Sequence, residues 1–208
     1  MKLEVVGDDY PDSPSRVGQW SQGPMPPRPD ADQVRIIQWA RRAVSESTSR
    51  SEKSIEDAFA CWTAAVEAVW WISALDELLD GLVGGKMVYR SGRDQDDYGQ
   101  SVVGLRWLRS LHIHRIRVSG AGGPKKPFFA PPDADYLFYI SPSNRWLPSD
   151  QLAPRADEKN IAQRQQYDLR VADRPLRAPL DAAMVWFDRV ISASGFQSTD
   201  NSQDRSVL

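Results

Sequence analysis

The sequence predicts a mainly α-helical fold: a helical bundle carrying one short extended insertion. Three observations lead there. Apolar residues recur at spacings of three and four in several separate segments. The most apolar run, Ala58 to Leu75, has Glu67 in its middle. It falls short of the roughly 20 predominantly apolar residues a membrane span needs, so it reads as a buried bundle helix. Strand-like patterning is confined to one aromatic segment near residues 128–147.

The elements follow in order. Residues 1–30 form a proline-rich arm, with six of the 15 prolines between residues 7 and 30, and are expected to be flexible. A first helix spans Ala31 to Ser47, capped by Asp30, with Val34, Ile37 and Val44 on one stripe. A second helix opens at Ser54-Ile55-Glu56-Asp57, which is close to a capping box. Its apolar surface is wide, which predicts a central position with neighbours on several sides. Gly81, Gly84 and Gly85 end it. Lys86 to Tyr98 lacks periodicity and reads as a loop. A third helix covers Gly99 to His114, with Val102, Val103, Trp107, Leu108 and Leu111 apolar. Residues 120–132 are a Gly/Pro-rich breaker, and Asp135 to Ile140 reads as a strand. Two further helices cover Asp157 to Val171 and Arg174 to Ser192. Pro179 requires the second of these to start late or kink. The folded body is one helical domain over residues 31–193, and the Ser/Asp/Gln-rich tail 194–208 is expected to be disordered. Trp62, Trp70, Trp71, Trp107 and Trp186 sit at helical spacing and are assigned to the core.

Composition excludes several function classes. The single cysteine, Cys61, rules out an internal disulfide framework and a cysteine zinc cluster. It lies among Phe59 and Trp62 and reads as a packed thiol. Two histidines leave little material for a metal site, so neither metal nor cofactor is expected. The start of the chain lacks an apolar secretory core, which gives a cytoplasmic expectation with no membrane partner.

The net charge of −2 speaks against a protein that coats nucleic acid through bulk charge. That charge is unevenly spread. No acid occurs from Tyr98 through Pro132, where Arg106, Arg109, Arg115, Arg117, Lys125 and Lys126 total +6, leaving −8 for the rest. Both histidines, His112 and His114, lie inside the basic stretch. The second helix is acidic, with Glu67, Asp76, Glu77 and Asp80. Two readings stay open: the bases bind an anionic ligand such as phosphate, or they pair with the acidic helix and face water. Asp76 and Asp80 share a face at a helix C-terminus, where acids oppose the dipole. Structural ion pairs are therefore expected for Asp76, Glu77 and Asp80, with Arg106 or Arg109 as natural partners. A general acid/base carboxylate pair has no further support from the sequence. The loop Gly120 to Lys126 lacks Walker spacing and its Ser/Thr, and reads as flexible and basic.

Arg109-Ser110-Leu111-His112-Ile113-His114 combines an arginine, a polar residue beside it and a histidine five positions on. This resembles the signature of HEPN domains, small helical proteins of which many are metal-independent ribonucleases in toxin–antitoxin and phage-defence systems. Others in that family serve in binding or dimerisation. The Trp70 to Glu77, Gly104 to Arg109 and Trp146 segments also look like uncharacterised actinobacterial proteins, and the resemblance covers roughly residues 31–193. It implies RNA as substrate, Arg109 as the phosphate-stabilising residue, and His114 as acid/base, with two motifs meeting across a homodimer. The chemistry is coherent: attack by a 2′-hydroxyl on its neighbouring phosphate needs a proton acceptor near neutral pH and a cation against the phosphorane. On an ideal helix a five-residue step separates two side chains by about 140°. Either the helix ends or bends near Ile113, or His112 is the working residue. Arg106, Arg115, Arg117, Lys125 and Lys126 are the candidate substrate- and phosphate-binding residues.

Three functions follow. The first is an RNA-cleaving or RNA-binding effector in stress or phage defence, with a cognate antitoxin or defence partner. The second is a non-catalytic helical module for dimerisation or protein interaction. The third, with least support, is a small-molecule binder using the aromatic insertion.

Overall fold

In a computed structural model, the described residues are 29–54, 57–83, 86–111, 116, 118–119, 127–128, 138–139, 144–152 and 160–196. The proline-rich arm through residue 28 and the tail from residue 197 lie outside them, as do the breaker residues 120–126. Among the described residues the architecture is mainly α, with very little strand.

Among the described residues, seven helices run α1 Ala31–Lys53, α2 Ala58–Leu82, α3 Lys86–Gln95, α4 Asp97–Ser110, α5 Ser149–Leu152, α6 Ile161–Arg170 and α7 Arg177–Ala193. Between α4 and α5 lie four two-residue strands, β1 Val118–Ser119, β2 Pro127–Phe128, β3 Phe138–Tyr139 and β4 Arg145–Trp146. They pair antiparallel as β1 with β4 and β2 with β3. The extended insertion therefore opens at Val118, earlier than residue 128, because Val118 is the partner of Trp146.

Asp30 caps α1 through a full capping box: its carboxylate accepts from the Gln33 amide at 2.7 Å, and the Gln33 side chain accepts from the Asp30 amide at 3.0 Å. The helix runs past Ser47 to Lys53, and within it Ser47 and Ser51 are buried and donate to the Ala43 and Thr48 carbonyls of their own helix. Ser54 is the C-cap of α1, not the N-cap of the next helix, and Asp57 caps α2 by accepting from the Ala60 amide. The four-residue connection folds α1 and α2 into an antiparallel pair, in which Arg50 reaches Glu67.

Helices α3, α4 and α7 also pack on α2, while α6 packs on α4. Residues of α1, α2, α4 and α7 supply most of one buried cluster, including Val44, Ala65, Ile72, Leu79, Leu105, Leu180, Trp186 and Phe187. Ion pairs Arg41–Asp188 and Arg177–Glu52 set α7 antiparallel to α1. Pro179 is the third residue of α7, where its missing amide is one the helix start leaves unpaired anyway. Trp146 is fully buried, and its indole N–H donates to the Leu176 carbonyl at 3.1 Å, tying the insertion to the start of α7.

Helices α4 and α6 cross closely at Gly104. A Cβ there would stand 2.9 Å from the Tyr167 Cα and 3.0 Å from its amide nitrogen. Both are backbone atoms, so the helices themselves must part. Gly104→Ala is expected to destabilise the fold by about 1–3 kcal/mol of overpacking. That exceeds the gain in helix propensity of up to about 1 kcal/mol. Urea unfolding checks it: a midpoint equal to or above wild type would remove the close-crossing argument.

Two further sequence expectations are corrected. The segment Lys86 to Tyr98 is not a loop: it contains α3 and the start of α4. Its inward face is built from Tyr89 and Arg93, four apart, which bury against a charge instead of against hydrocarbon. Trp70 and Trp71 are not core residues: they remain 48% and 39% exposed, unlike the buried Trp107 and Trp186. The apolar surface of α2 is broader than its neighbours cover. Half of its most apolar 18-residue window is buried, and it is the one described helix long and apolar enough to cross a membrane.

Candidate phosphate site at the end of helix α4

The site is built outward from Asp76. This carboxylate sits on α2 with no exposed surface. Its Oδ1 accepts from the Tyr89 hydroxyl at 2.8 Å, and its Oδ2 accepts from Arg93 Nη1 at 2.8 Å. Arg106 Nη1 on α4 donates to the same Oδ2. Trp186 of α7 donates its indole N–H to the Tyr89 oxygen at 3.3 Å. Four helices thus converge on one buried charge. An ion this deep is tolerated only when its partners replace the lost water, and here two guanidiniums and a phenol do so.

The groups around it respond electrostatically. Burial alone would lower the Arg93 pKa, but the carboxylates of Asp76 and Asp94 outweigh it and hold the guanidinium above its ordinary value. Burial pushes the Tyr89 phenol well up, and the Asp76 charge adds to the push. Burial likewise raises Tyr167 and the Cys61 thiol. Cys61 has no exposed surface, which is the environment of a packed thiol.

The tyrosines give a pH dependence. In the folded chain Tyr89 and Tyr167 stay protonated, whereas in the unfolded chain each titrates near about 10. Above that pH the folded state binds more protons, so stability falls as pH rises through and beyond this region and is unaffected below it. Urea midpoints between pH 8 and pH 11 are expected to drop less steeply for Tyr89→Phe than for the wild type. Equal slopes would mean that Tyr89 ionises freely in the fold.

From Asp76 a row of charges runs to the surface. Arg106 also approaches Glu77, with its Nη2 3.6 Å from Oε1. Glu77, half exposed, accepts from Arg109 Nη1. The Arg109 guanidinium then lies over the exposed Trp70 indole, 5.1 Å from the ring centroid. Asp80 pairs with Arg90 of α3, whose Nη2 is 2.8 Å from Oδ2. That partner lies in the segment read from sequence as a loop, so it was not foreseen. Tyr89 and Arg93 were missed for the same reason. The signal that could have found them is the i, i+4 spacing of a tyrosine and an arginine beside an acidic helix end.

Helix α4 ends at Ser110, with Leu111 as its C-cap. The ideal-helix separation of Arg109 from a histidine five residues on therefore does not apply. Arg109 sits in the last turn, one residue before the helix stops. The chain meets the core again at Ile116, which is 1% exposed and whose carbonyl accepts from the Trp62 indole at 2.7 Å. His112, His114 and Arg115 fall between these two anchors and lie outside the described residues, as do Arg117, Lys125 and Lys126. Of the six basic residues in the acid-free stretch, Arg106 and Arg109 are described, and both pair with acids of α2. Among the described residues no group of three or more His, Cys, Asp or Glu side chains could hold a metal ion.

Comparison with protein-family models, with curated proteins and with solved structures returned no match for this chain.

Proposed function

We propose that this protein is a HEPN-like effector that cleaves RNA without a metal, acting in stress or phage defence. The observation that supports the reading is the placement of Arg109. It stands in the last turn of α4, 29% exposed, directly before the segment that carries both histidines of the chain.

In this reaction the 2′-hydroxyl of one nucleotide attacks the adjacent phosphorus. A histidine, His114 by the resemblance, accepts the hydroxyl proton. The 5′-oxygen leaves with a proton from an acid, and the products are a 2′,3′-cyclic phosphate and a 5′-hydroxyl. Arg109 stabilises the charge on the phosphorane oxygens. Its existing pair with Glu77 does not block this role. A half-exposed ion pair is worth about 0–1 kcal/mol, so a phosphate displaces it at little cost. A guanidinium also carries five donors, so one contact does not exhaust it.

Arg106 has a different character. It is held by the buried Asp76 and is less exposed to exchange. We assign it to orienting Glu77 and Arg109, with any phosphate contact secondary. The exposed aromatic side chains Phe59 and Trp71 of α2 support a homodimer or a cognate antitoxin as partner. They also favour the second reading, a non-catalytic interaction module.

The two readings separate on purified protein in excess EDTA. RNA loss that stops in His114→Ala supports the enzyme. Equal cutting by His114→Ala, with loss in His112→Ala, moves the proton acceptor to His112. Intact RNA together with recovery of one stoichiometric protein partner favours the interaction module.

A further inference from the structure

We propose that Trp70 is a nucleobase platform beside Arg109, so that the site takes an unpaired strand with one base stacked on the indole. The inference rests on the reading of Arg109 as the phosphate-binding residue.

A tryptophan is costly to leave in water, yet Trp70 is nearly half exposed on a helix that buries Val69, Ile72 and Leu75 beside it. It is also held in place. The guanidinium of Arg109 lies over the ring at 5.1 Å, and Glu77, two helical turns along the same face of α2, fixes that guanidinium from the other side. The indole therefore carries a cation over one face, and a base would stack on the ring surface that stays exposed. A phosphate taken by Arg109 brings the attached sugar and base against the neighbouring ring. Every base has a π-face, so stacking there tolerates sequence but requires that the base be out of a duplex. Positive charge for the backbone and an aromatic plane for the base are the two parts from which single-strand sites are made.

The test uses the full chain and a 2′-O-methyl oligoadenylate, which lacks the attacking hydroxyl and so reports binding alone. Trp70→Ala is expected to weaken binding about 5- to 150-fold, the range seen for losing one stacked base. Trp70→Phe should recover most of the loss. On the same oligomer made abasic, wild type and Trp70→Ala should bind equally. On a cleavable strand the variant should raise KM with kcat unchanged. Unfolding midpoints for Trp70→Ala close to wild type would exclude a folding defect. Loss of binding in Arg109→Ala without loss in Trp70→Ala would overturn the platform and leave the phosphate site standing. An equal effect of Trp70→Ala on the abasic strand would also overturn it. If the wild type fails to bind the oligomer, both fall. Trp70-dependent binding with no cleavage of unmodified RNA would keep the platform and remove the enzyme.

Discussion

Asp76→Ala is expected to cost about 3–5 kcal/mol of stability, the range for breaking a buried ion pair from one side. The side chain has no exposed surface, and it accepts from Tyr89, Arg93 and Arg106 at once. Truncation leaves the Arg93 charge buried without its main partner and removes the acceptor of the Tyr89 hydroxyl. It also releases Arg106 from the core. Domains of this size have about 5–15 kcal/mol in total, so the variant should lose about a fifth or more of its stability. Asp76→Asn keeps the shape but not the charge and should sit between the two. Replacing the pair together, Asp76→Leu with Arg93→Met, should recover part of the loss, since no lone charge is then left inside. Urea unfolding of the four proteins measures this. A loss under about 1 kcal/mol for Asp76→Ala would mean that the network is solvated.

Arg109→Ala is the second large effect, and it falls on activity. Removing a single preorganised donor to a developing oxyanion typically costs about 10²–10³-fold in rate. The fold should survive the change. Arg109 is partly exposed, its partner Glu77 is half exposed, and the surface ion pair between them contributes about 1 kcal/mol or less. Arg109→Lys should recover little, because a point charge does not reproduce two parallel N–H donors. The expected pattern is a steep loss of RNA cleavage at an unchanged unfolding midpoint. Arg109→Ala cutting at the wild-type rate would contradict the role. A large drop in the midpoint would instead make Arg109 a structural residue.

How much was legible follows from what each element buries. Helices α1, α2 and α7 were readable because their inward faces are hydrocarbon at helical spacing: Ile37 and Val44, Val69 and Ile72, Leu180 and Phe187. Helix α3 was not, because its inward face is a phenol and a guanidinium aimed at Asp76. Apolar periodicity cannot register a helix held by buried charge. The first cap of α2 was misplaced for a related reason. Ser54 and Asp57 are both good caps, and which one serves is decided by where α1 stops, at the Ser54 amide bonded to the Arg50 carbonyl. The apolar count on α2 placed Trp70 and Trp71 inside, but covering a helix all round needs more neighbours than this chain provides. At the candidate site, sequence separated a basic stretch from an acidic helix. It did not reveal that Asp76 and Glu77, adjacent in the chain, divide their roles, one fixing Arg106 from the core and the other holding Arg109 at the surface.

The most direct measurement is cleavage of an RNA strand and its DNA counterpart by the purified chain in excess EDTA, followed by analysis of the new ends. The RNA alone is expected to be cut, leaving 2′,3′-cyclic phosphate and 5′-hydroxyl termini, and to stay intact with Arg109→Ala. Equal cutting of DNA, loss of cutting on chelation, or full activity in Arg109→Ala would contradict the proposed mechanism.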